Sequence, residues 1–306
     1  MMFNARMDLV RDKIGVFWGT QGFLPFRLPE EMKAVITVYD LVYKRYPGTL
    51  NWDNKVIFPL LFKNSLLRAD KIIAISKSTK DELLFFFPFL KGKTEVIYPA
   101  TEMLWRLEDK KESFSEEILK KLKIQEKRYL LTVSTIEPRK NISNLLKAYA
   151  ELKKQNVFHV PLLVVGKYGW KSRGVYRLCK KLNLSDDEVI FTGHVSDAQL
   201  LRLYQAAELF ISVSLYEGFG LPLTEAMACG IPVVASDIPV FREILDNAAV
   251  FVDPLSPEGI SDGILRVLNN HSLRKTLTQA GIEQMKLLSR EDPSLKMLDI
   301  FNSFRL

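Results

Sequence analysis

Between Ser214 and Ser236 the chain reads SLYEGFGLPLTEAMACGIPVVAS, an order of residues that few backbones accommodate. An apolar run, Leu209 to Ser214, leads into it, and another, Ile231 to Ala235, leads out. Between them stand a Gly-Phe-Gly turn, Gly218 to Gly220, and a stretch that starts a helix at once. Pro222 suits the first helical turn, where a missing N–H costs nothing. Gly230 suits the left-handed residue that closes a helix. The pattern predicts strand, glycine loop, helix, glycine stop, strand. Such a loop offers free backbone N–H groups and the positive end of a helix dipole to an anion. Glu217 and Glu225, with seven residues between them, flank that position. Ionised carboxylates only accept hydrogen bonds, and each can take two from vicinal hydroxyls. A ligand carrying both phosphate and hydroxyl groups reconciles the two features. Dipole-favoured carboxylates at a helix start would account for Glu225 alone, but not for the whole string.

That string, E-G-F-G-L-P-L-T-E-A-M-A-x-G-x-P-V-V-A, resembles the signature of the retaining glycosyltransferases of family 4, also described as glycosyl transferases group 1. The match is long, unlike a lone glycine triplet. The resemblance implies a GT-B architecture: two Rossmann-like doubly wound α/β domains facing a cleft. It places the first glutamate, Glu217, on the donor sugar's hydroxyls and the second, Glu225, on the ribose of the nucleotide. Gly218, Phe219, Gly220 and Leu221 accompany them on the donor side.

Bulk composition agrees with an ordinary globular protein. The chain has 306 residues, 47% hydrophobic and 26% charged, enough for two domains of ~100–200 residues. A net charge of +7 favours polyanionic partners without choosing among nucleotides, anionic lipid or nucleic acid. No helix-turn-helix pattern or aromatic platform supports nucleic acid, so none is expected as a partner. Two cysteines, Cys179 and Cys229, lack the spacing of a disulfide framework or a zinc site. No run approaches the ~18 apolar residues of a membrane span, and the N-terminal residues lack the apolar core of a signal peptide. A cytoplasmic location is the expectation, with peripheral contact on the inner face of the membrane. Two apolar-basic stretches suggest that contact: Asn54 to Asp70, in which Pro59 argues against a simple helix, and Phe85 to Leu90 followed by Lys91 and Lys93. The alternative is that their apolar residues are core and their cations solvated.

Strand-like and helix-like segments alternate throughout, which predicts parallel sheets covered by helices. In the first part the strands are Ile14–Gly19, Ala34–Asp40, Lys71–Ser76 and Thr94–Pro99, with helices at Asn54–Arg68 and Lys77–Phe87. Leu107 to Arg128 is charged and broken, and reads as a linker. The pattern restarts with strands at Tyr129–Ser134, Val160–Gly166, Val189–Gly193, Leu209–Ser214, Ile231–Ser236 and Val250–Asp253, and one or two helices after Pro257. The expected organisation is an N-terminal acceptor-side domain over residues 1–110, a nucleotide-sugar-binding domain over 111–285, and a C-terminal helix over 286–306 that packs back on the first domain. Against the family's proportions the first domain is incomplete, opening near what resembles its middle.

The loops Ser134–Lys140, Gly166–Trp170, Gly193–Asp197 and Ser214–Gly220 follow strands of the second domain, where such sheets bind ligands. The resemblance assigns Lys140 to the donor diphosphate, with Ser134, Thr135, Arg139 and Gly166 beside it. Many relatives carry an arginine at the position of Thr135, which this chain lacks; whether Arg139 compensates is left open. Taken alone, Arg139 and Lys140 read as an ordinary solvated pair; with the glutamate motif in the same domain, phosphate binding is the favoured reading. Gly193 and His194 fall next to the nucleotide base by resemblance, although the His194 side chain reads as that of a loop histidine. In the first domain, Tyr39 stands where the family often has a histidine near the reacting sugar, and Asp40 after it is an acceptor-side candidate or a turn cap. Ser76-Lys-Ser-Thr79 resembles the family's strand-to-helix turn but reads first as an ordinary serine N-cap. No Asp-x-Asp occurs, so the diphosphate charge is expected to be met without a metal.

The resemblance thus implies a metal-independent retaining glycosyltransferase with Glu217, Lys140 and Asp40 at the chemistry and no cofactor. Its substrates would be a nucleoside-diphosphate sugar, with GDP-mannose the first candidate, and a glycan or lipid-linked acceptor in surface polysaccharide synthesis. Two other readings are open. One is a nucleotide-sugar-binding protein without turnover; the other is a GT-B-type sugar-nucleotide epimerase.

Overall fold

A computed structural model describes residues 12, 14–25, 28–49, 52–100, 129–154, 160–170 and 172–304. The linker read over residues 107–128 and the domain boundary near 110 lie outside them. The chain forms two compact units. The first takes in the described residues up to Ala100, then Glu217–Phe219 and the residues from Glu291. The second takes in the described residues from Tyr129 to Tyr216, then Gly220–Arg290.

The first unit is built on four parallel strands, β1 (Val16–Gly19), β2 (Lys33–Val38), β3 (Lys71–Ala74) and β4 (Thr94–Val96), in the order β1-β2-β3-β4. β2 and β3 are almost continuously apolar and buried, as strands covered on both faces must be. A one-turn helix, α1 (Val42–Arg45), follows β2 and was not anticipated from its sequence. The longer α2 (Trp52–Arg68) covers the helix expected over Asn54–Arg68 and runs unbroken through Pro59, the residue that argued against a simple helix there. Proline forfeits one helical hydrogen bond. The aromatic packing of Phe58 and Phe62 against Tyr43 and Phe23, with Leu66 buried behind, holds the helix regardless. α3 (Lys77–Phe86) starts on Ser76, whose hydroxyl accepts from the Thr79 N–H at 2.9 Å.

The second unit carries six parallel strands: β5 (Leu130–Val133), β6 (Leu162–Val165), β7 (Val189–Gly193), β8 (Leu209–Ser212), β9 (Val233–Ser236) and β10 (Ala249–Val252). Their order is β10-β9-β8-β5-β6-β7. The chain winds outward from β5 to β7, returns to the other side of β5 with β8, and continues outward to β10. The sheet is therefore doubly wound, with its topological switch between β5 and β8. Seven helices connect and flank these strands: α4 (Ile142–Lys154), α5 (Arg173–Lys181), α6 (Asp197–Ala206), α7 (Leu221–Ala228), α8 (Pro239–Leu245), α9 (Pro257–Leu268) and α10 (His271–Leu288). Ile142, Leu145, Leu146, Tyr149 and Leu152 form the buried stripe of α4, packed with Ile260, Ile264 and Val267 of α9 in one apolar cluster.

A final helix, α11 (Pro293–Asn302), belongs to the first unit. Its Met297 and Ile300 are buried with Val35, Ile73 and Ile97. Three helices thus follow Pro257 rather than one or two. The apolar pattern runs on through the segment, but Asn270 and Asp292 each accept a backbone N–H and start a new helix. Among the described residues no helix is long and apolar enough to cross a membrane.

Candidate active site

The switch between β5 and β8 puts two loops on either side of one crevice at the strands' carboxyl ends, where doubly wound sheets bind ligands. Ser134 to Asn141 follows β5, and Val213 to Gly220 follows β8. Gly166 follows β6, and a Cβ there would meet the Ser134 carbonyl oxygen at 2.0 Å. Only glycine lets these two loops lie against each other. Beyond the strands they stay paired: Ile136 N–H donates to the Lys167 carbonyl and Gly169 N–H to the Ile136 carbonyl, at 3.0 and 3.1 Å. The buried Ser134 hydroxyl has no hydrogen-bond partner among the described residues. A buried orphan of this kind calls for an explanation, and a ligand atom is one. Thr135 is exposed beside it.

Pro138 to Lys140 form a single 3-10 turn. Arg139 does not project into the crevice as a spare cation. Its Nε lies 2.5 Å from the buried carboxylate of Glu137, and its Nη1 donates to the Tyr216 carbonyl at 3.3 Å. Its own carbonyl accepts from Leu215 N–H at 2.8 Å. Arg139 thus stitches the β5 loop to the β8 loop with its charge neutralised by Glu137. Lys140, the next residue, is half-buried.

Asn141, the next residue, was not singled out from the sequence. It adopts the left-handed conformation (φ 60°) and its buried amide donates to the carbonyls of Val213, at 3.0 Å, and Pro254, at 2.7 Å. Asparagine tolerates this conformation better than other side chains do. One side chain thereby fixes the ends of three loops around Lys140. The only sequence signal was an Asn directly after Pro-Arg-Lys.

Gly220, in a left-handed conformation (φ 112°), immediately precedes α7, and Gly230 (φ 70°) follows its end. The Leu223 N–H turns back onto the Gly220 carbonyl at 2.9 Å, and Pro222 has no N–H. The donors this helix start holds out are consequently those of Gly220 and Leu221. Glu225 lies one turn further along α7. Its Oε2 accepts from the Tyr204 hydroxyl at 2.8 Å. Burial pushes the Glu225 carboxyl above its ordinary range; the Tyr204 hydrogen bond works against that shift and the Asp197 charge adds to it. The remaining carboxylate oxygen is the natural acceptor for a ligand hydroxyl. Tyr204, fully buried on α6, is the second positioning residue that the sequence reading missed. His194 is exposed after β7, and the Gly193 carbonyl accepts from Gly166 N–H at 3.0 Å.

Glu217, Gly218 and Phe219 group with the first unit rather than with the rest of their motif. Thr79, whose N–H is held by Ser76, donates its hydroxyl to the Gly218 carbonyl at 3.2 Å. The Ser76–Thr79 turn is thus both an ordinary N-cap and an anchor for the glutamate turn. A Cβ on Gly218 would lie 1.7 Å from the Tyr39 carbonyl oxygen. The Phe219 ring packs on Tyr98 with centroids 5.8 Å apart. Asp40 accepts from Val42 N–H at 3.0 Å, the geometry of a turn cap. Among the described residues no cluster of His, Cys, Asp or Glu could hold a metal ion.

Comparison with known proteins identifies the family and the fold. Residues 114–284 match the model of the family described as "Glycosyl transferases group 1". The O-antigen chain mannosyltransferase B of Escherichia coli is 31% identical over 290 residues, covering 94% of this chain and 74% of that protein. The serotype-specific mannosyltransferase WbdA of Escherichia coli is 28% identical over 260 residues, covering 82% of this chain but only 31% of its relative. The chain therefore spans from under a third to about three-quarters of the length of these relatives. Among solved structures, WaaG, a glycosyltransferase involved in lipopolysaccharide biosynthesis, superposes with a TM-score of 0.74 at 19% identity. The superposition covers 96% of this chain and 80% of that one.

Proposed function

This chain belongs to the glycosyl transferases group 1 family, and we propose that it moves a sugar from a nucleoside-diphosphate sugar to a glycan or lipid-linked acceptor during surface polysaccharide synthesis. The observation that carries this reading is the pairing, at one topological switch, of Lys140 and an orphaned Ser134 hydroxyl with a helix start bearing Glu225. Diphosphate and ribose need these groups. Likeness to mannosyltransferases makes GDP-mannose the first donor to test.

In this reading Lys140, with the N–H groups of Gly220 and Leu221, takes the charge that develops on the departing diphosphate. Glu225 holds the ribose, and Glu217 orients the sugar and supports its developing positive charge. The acceptor hydroxyl attacks the face from which the nucleoside diphosphate leaves, so configuration is retained, and holding both reactants in place supplies much of the acceleration. No metal is invoked, because the chain has no Asp-x-Asp and Lys140 offers a cation.

The test is a donor screen that reads transfer and hydrolysis for the common nucleotide sugars, with and without EDTA. Turnover that survives excess EDTA is the expected result. Loss on EDTA with rescue by manganese or magnesium would overturn the metal-free account. Binding without consumption of any donor would favour the binding-protein reading.

Lys140→Ala is expected to weaken nucleoside-diphosphate binding by roughly tenfold or more, since a hydrogen bond to a charged group is worth about 1.5–3 kcal/mol. Lys154→Ala is the control: its ammonium is on the exposed end of α4, paired at 2.7 Å with Glu151, and such surface pairs contribute little. Calorimetry giving equal affinities for the two variants would remove Lys140 from the donor site.

We also propose peripheral contact with the anionic inner face of the membrane. Supporting it, Leu60, Leu67, Phe85 and Phe89 are exposed on the first unit, and Arg45 lies over the rings of Phe85 and Phe86. Co-sedimentation with phosphatidylglycerol vesicles, but not with zwitterionic ones, checks this; equal recovery from both would refute it.

A further inference from the structure

The first unit holds a cavity of about 470 Å³ that the catalytic reading leaves unused. It lies at the carboxyl ends of β1 to β4, closed on one side by α11. Its size is within the roughly 300–1,000 Å³ of small-molecule pockets. Ile75, Ile97, Met297 and the aromatic residues Trp18, Tyr39 and Tyr98 line it, with Thr37 and Ser294 among its few polar side chains. The one indole N–H among them is already spent, donating to the Thr37 hydroxyl at 2.9 Å.

Two of the lining residues touch the glutamate turn within the same unit. The Tyr39 carbonyl abuts Gly218, and the Tyr98 ring packs on Phe219. Whatever occupies the cavity therefore sits within a few residues of Glu217. A sugar pressed onto Ile75, Ile97 and Met297 would lose water from more hydroxyls than the few polar lining groups, Thr37, Ser294 and the two tyrosines, could satisfy. A hydrocarbon loses nothing and gains roughly fourfold in affinity per buried methylene.

We propose that this cavity receives the hydrocarbon chain of a lipid-linked acceptor, so that the chain anchors the acceptor while its sugar hydroxyl reaches the glutamate turn. The assignment of the occupant as acceptor rests on the transferase reading; the affinity of the cavity for a hydrocarbon chain does not.

The experiment compares methyl, dodecyl and farnesyl α-mannosides below their micelle concentrations, by calorimetry on the whole chain and in a transfer assay. Both chain-bearing probes are expected to bind at least tenfold more tightly than the methyl one. A preference for farnesyl points to a prenyl lipid and a preference for dodecyl to an acyl lipid; either supports the cavity. Leu298→Glu puts a charge at the mouth, at a position 52% exposed, where folding tolerates it. It should abolish the chain's advantage and leave nucleoside-diphosphate affinity unchanged. Equal affinity for all three probes in the wild type, or an advantage kept in Leu298→Glu, overturns the proposal. Donor consumption as fast with methyl mannoside as with the chain-bearing probes would also overturn it, while the transferase reading stands. Chain binding without transfer to any probe would leave the cavity assignment standing and count against the transferase reading.

Discussion

Glu217→Gln should lower sugar transfer by on the order of a hundredfold while leaving the affinity for free nucleoside diphosphate intact. The carboxylate would act on charge that appears only at the reacting carbon, and only interactions stronger in the transition state change the chemical step. Glu225→Gln should behave in the opposite way. Its one free oxygen is proposed to take the ribose, while Tyr204 already holds the other at 2.8 Å. Free nucleoside diphosphate should bind it about tenfold more weakly. The two variants are isosteric and lie in one motif, so each controls for the other. Affinity for nucleoside diphosphate and rate of donor consumption are measured on both. A parallel loss of nucleotide affinity in the two would show that the glutamates do not divide the work this way.

Gly218→Ala should be strongly damaging, because among the described glycines its added methyl would come closest to another atom. The added Cβ would sit 1.7 Å from the Tyr39 carbonyl oxygen and 3.1 Å from the Asp40 Cβ. The nearest obstacle is backbone and has no rotamer to yield, and Thr79 holds the Gly218 carbonyl in place from the other side. Overpacking usually costs 1–3 kcal/mol, about 2–4 °C of Tm per kcal/mol in a domain of this size. Transfer should fall by about a hundredfold, because an ångström of misplacement in a positioned group is worth that much. Gly174→Ala, at a helical glycine with nothing near its added Cβ, should be neutral or stabilising. Thermal melts and transfer rates of the pair decide the matter. A Gly218→Ala protein with wild-type activity and Tm would mean that the turn does not pack on the Tyr39 backbone as described.

Much of this was legible before any coordinates. Strand and helix positions followed from apolar runs and their punctuation, because parallel strands buried on both faces have no alternative composition. The start and stop of α7 followed from Pro222 and Gly230, since both act through backbone geometry within a few residues. Pro59 misled for the same reason: its local cost is real, and aromatic packing from Tyr43 and Phe23 outweighs it.

What the tertiary structure alone decided lies at long sequence separation. Arg139 and Lys140 are indistinguishable as neighbours in a string. The buried Glu137 carboxylate and the Tyr216 carbonyl, 77 positions away, take up the first. Asn141 became a positioning residue only through carbonyls at Val213 and Pro254, and Glu225 acquired Tyr204 from α6. The glutamate turn reads as one continuous motif. Its first three residues nonetheless pack with Thr79, Tyr39 and Tyr98, more than a hundred positions earlier. A sequence determines by itself what the backbone can do locally; which charges are cancelled, and which carbonyl lies under a glycine, depends on contacts that form only when the chain has closed on itself.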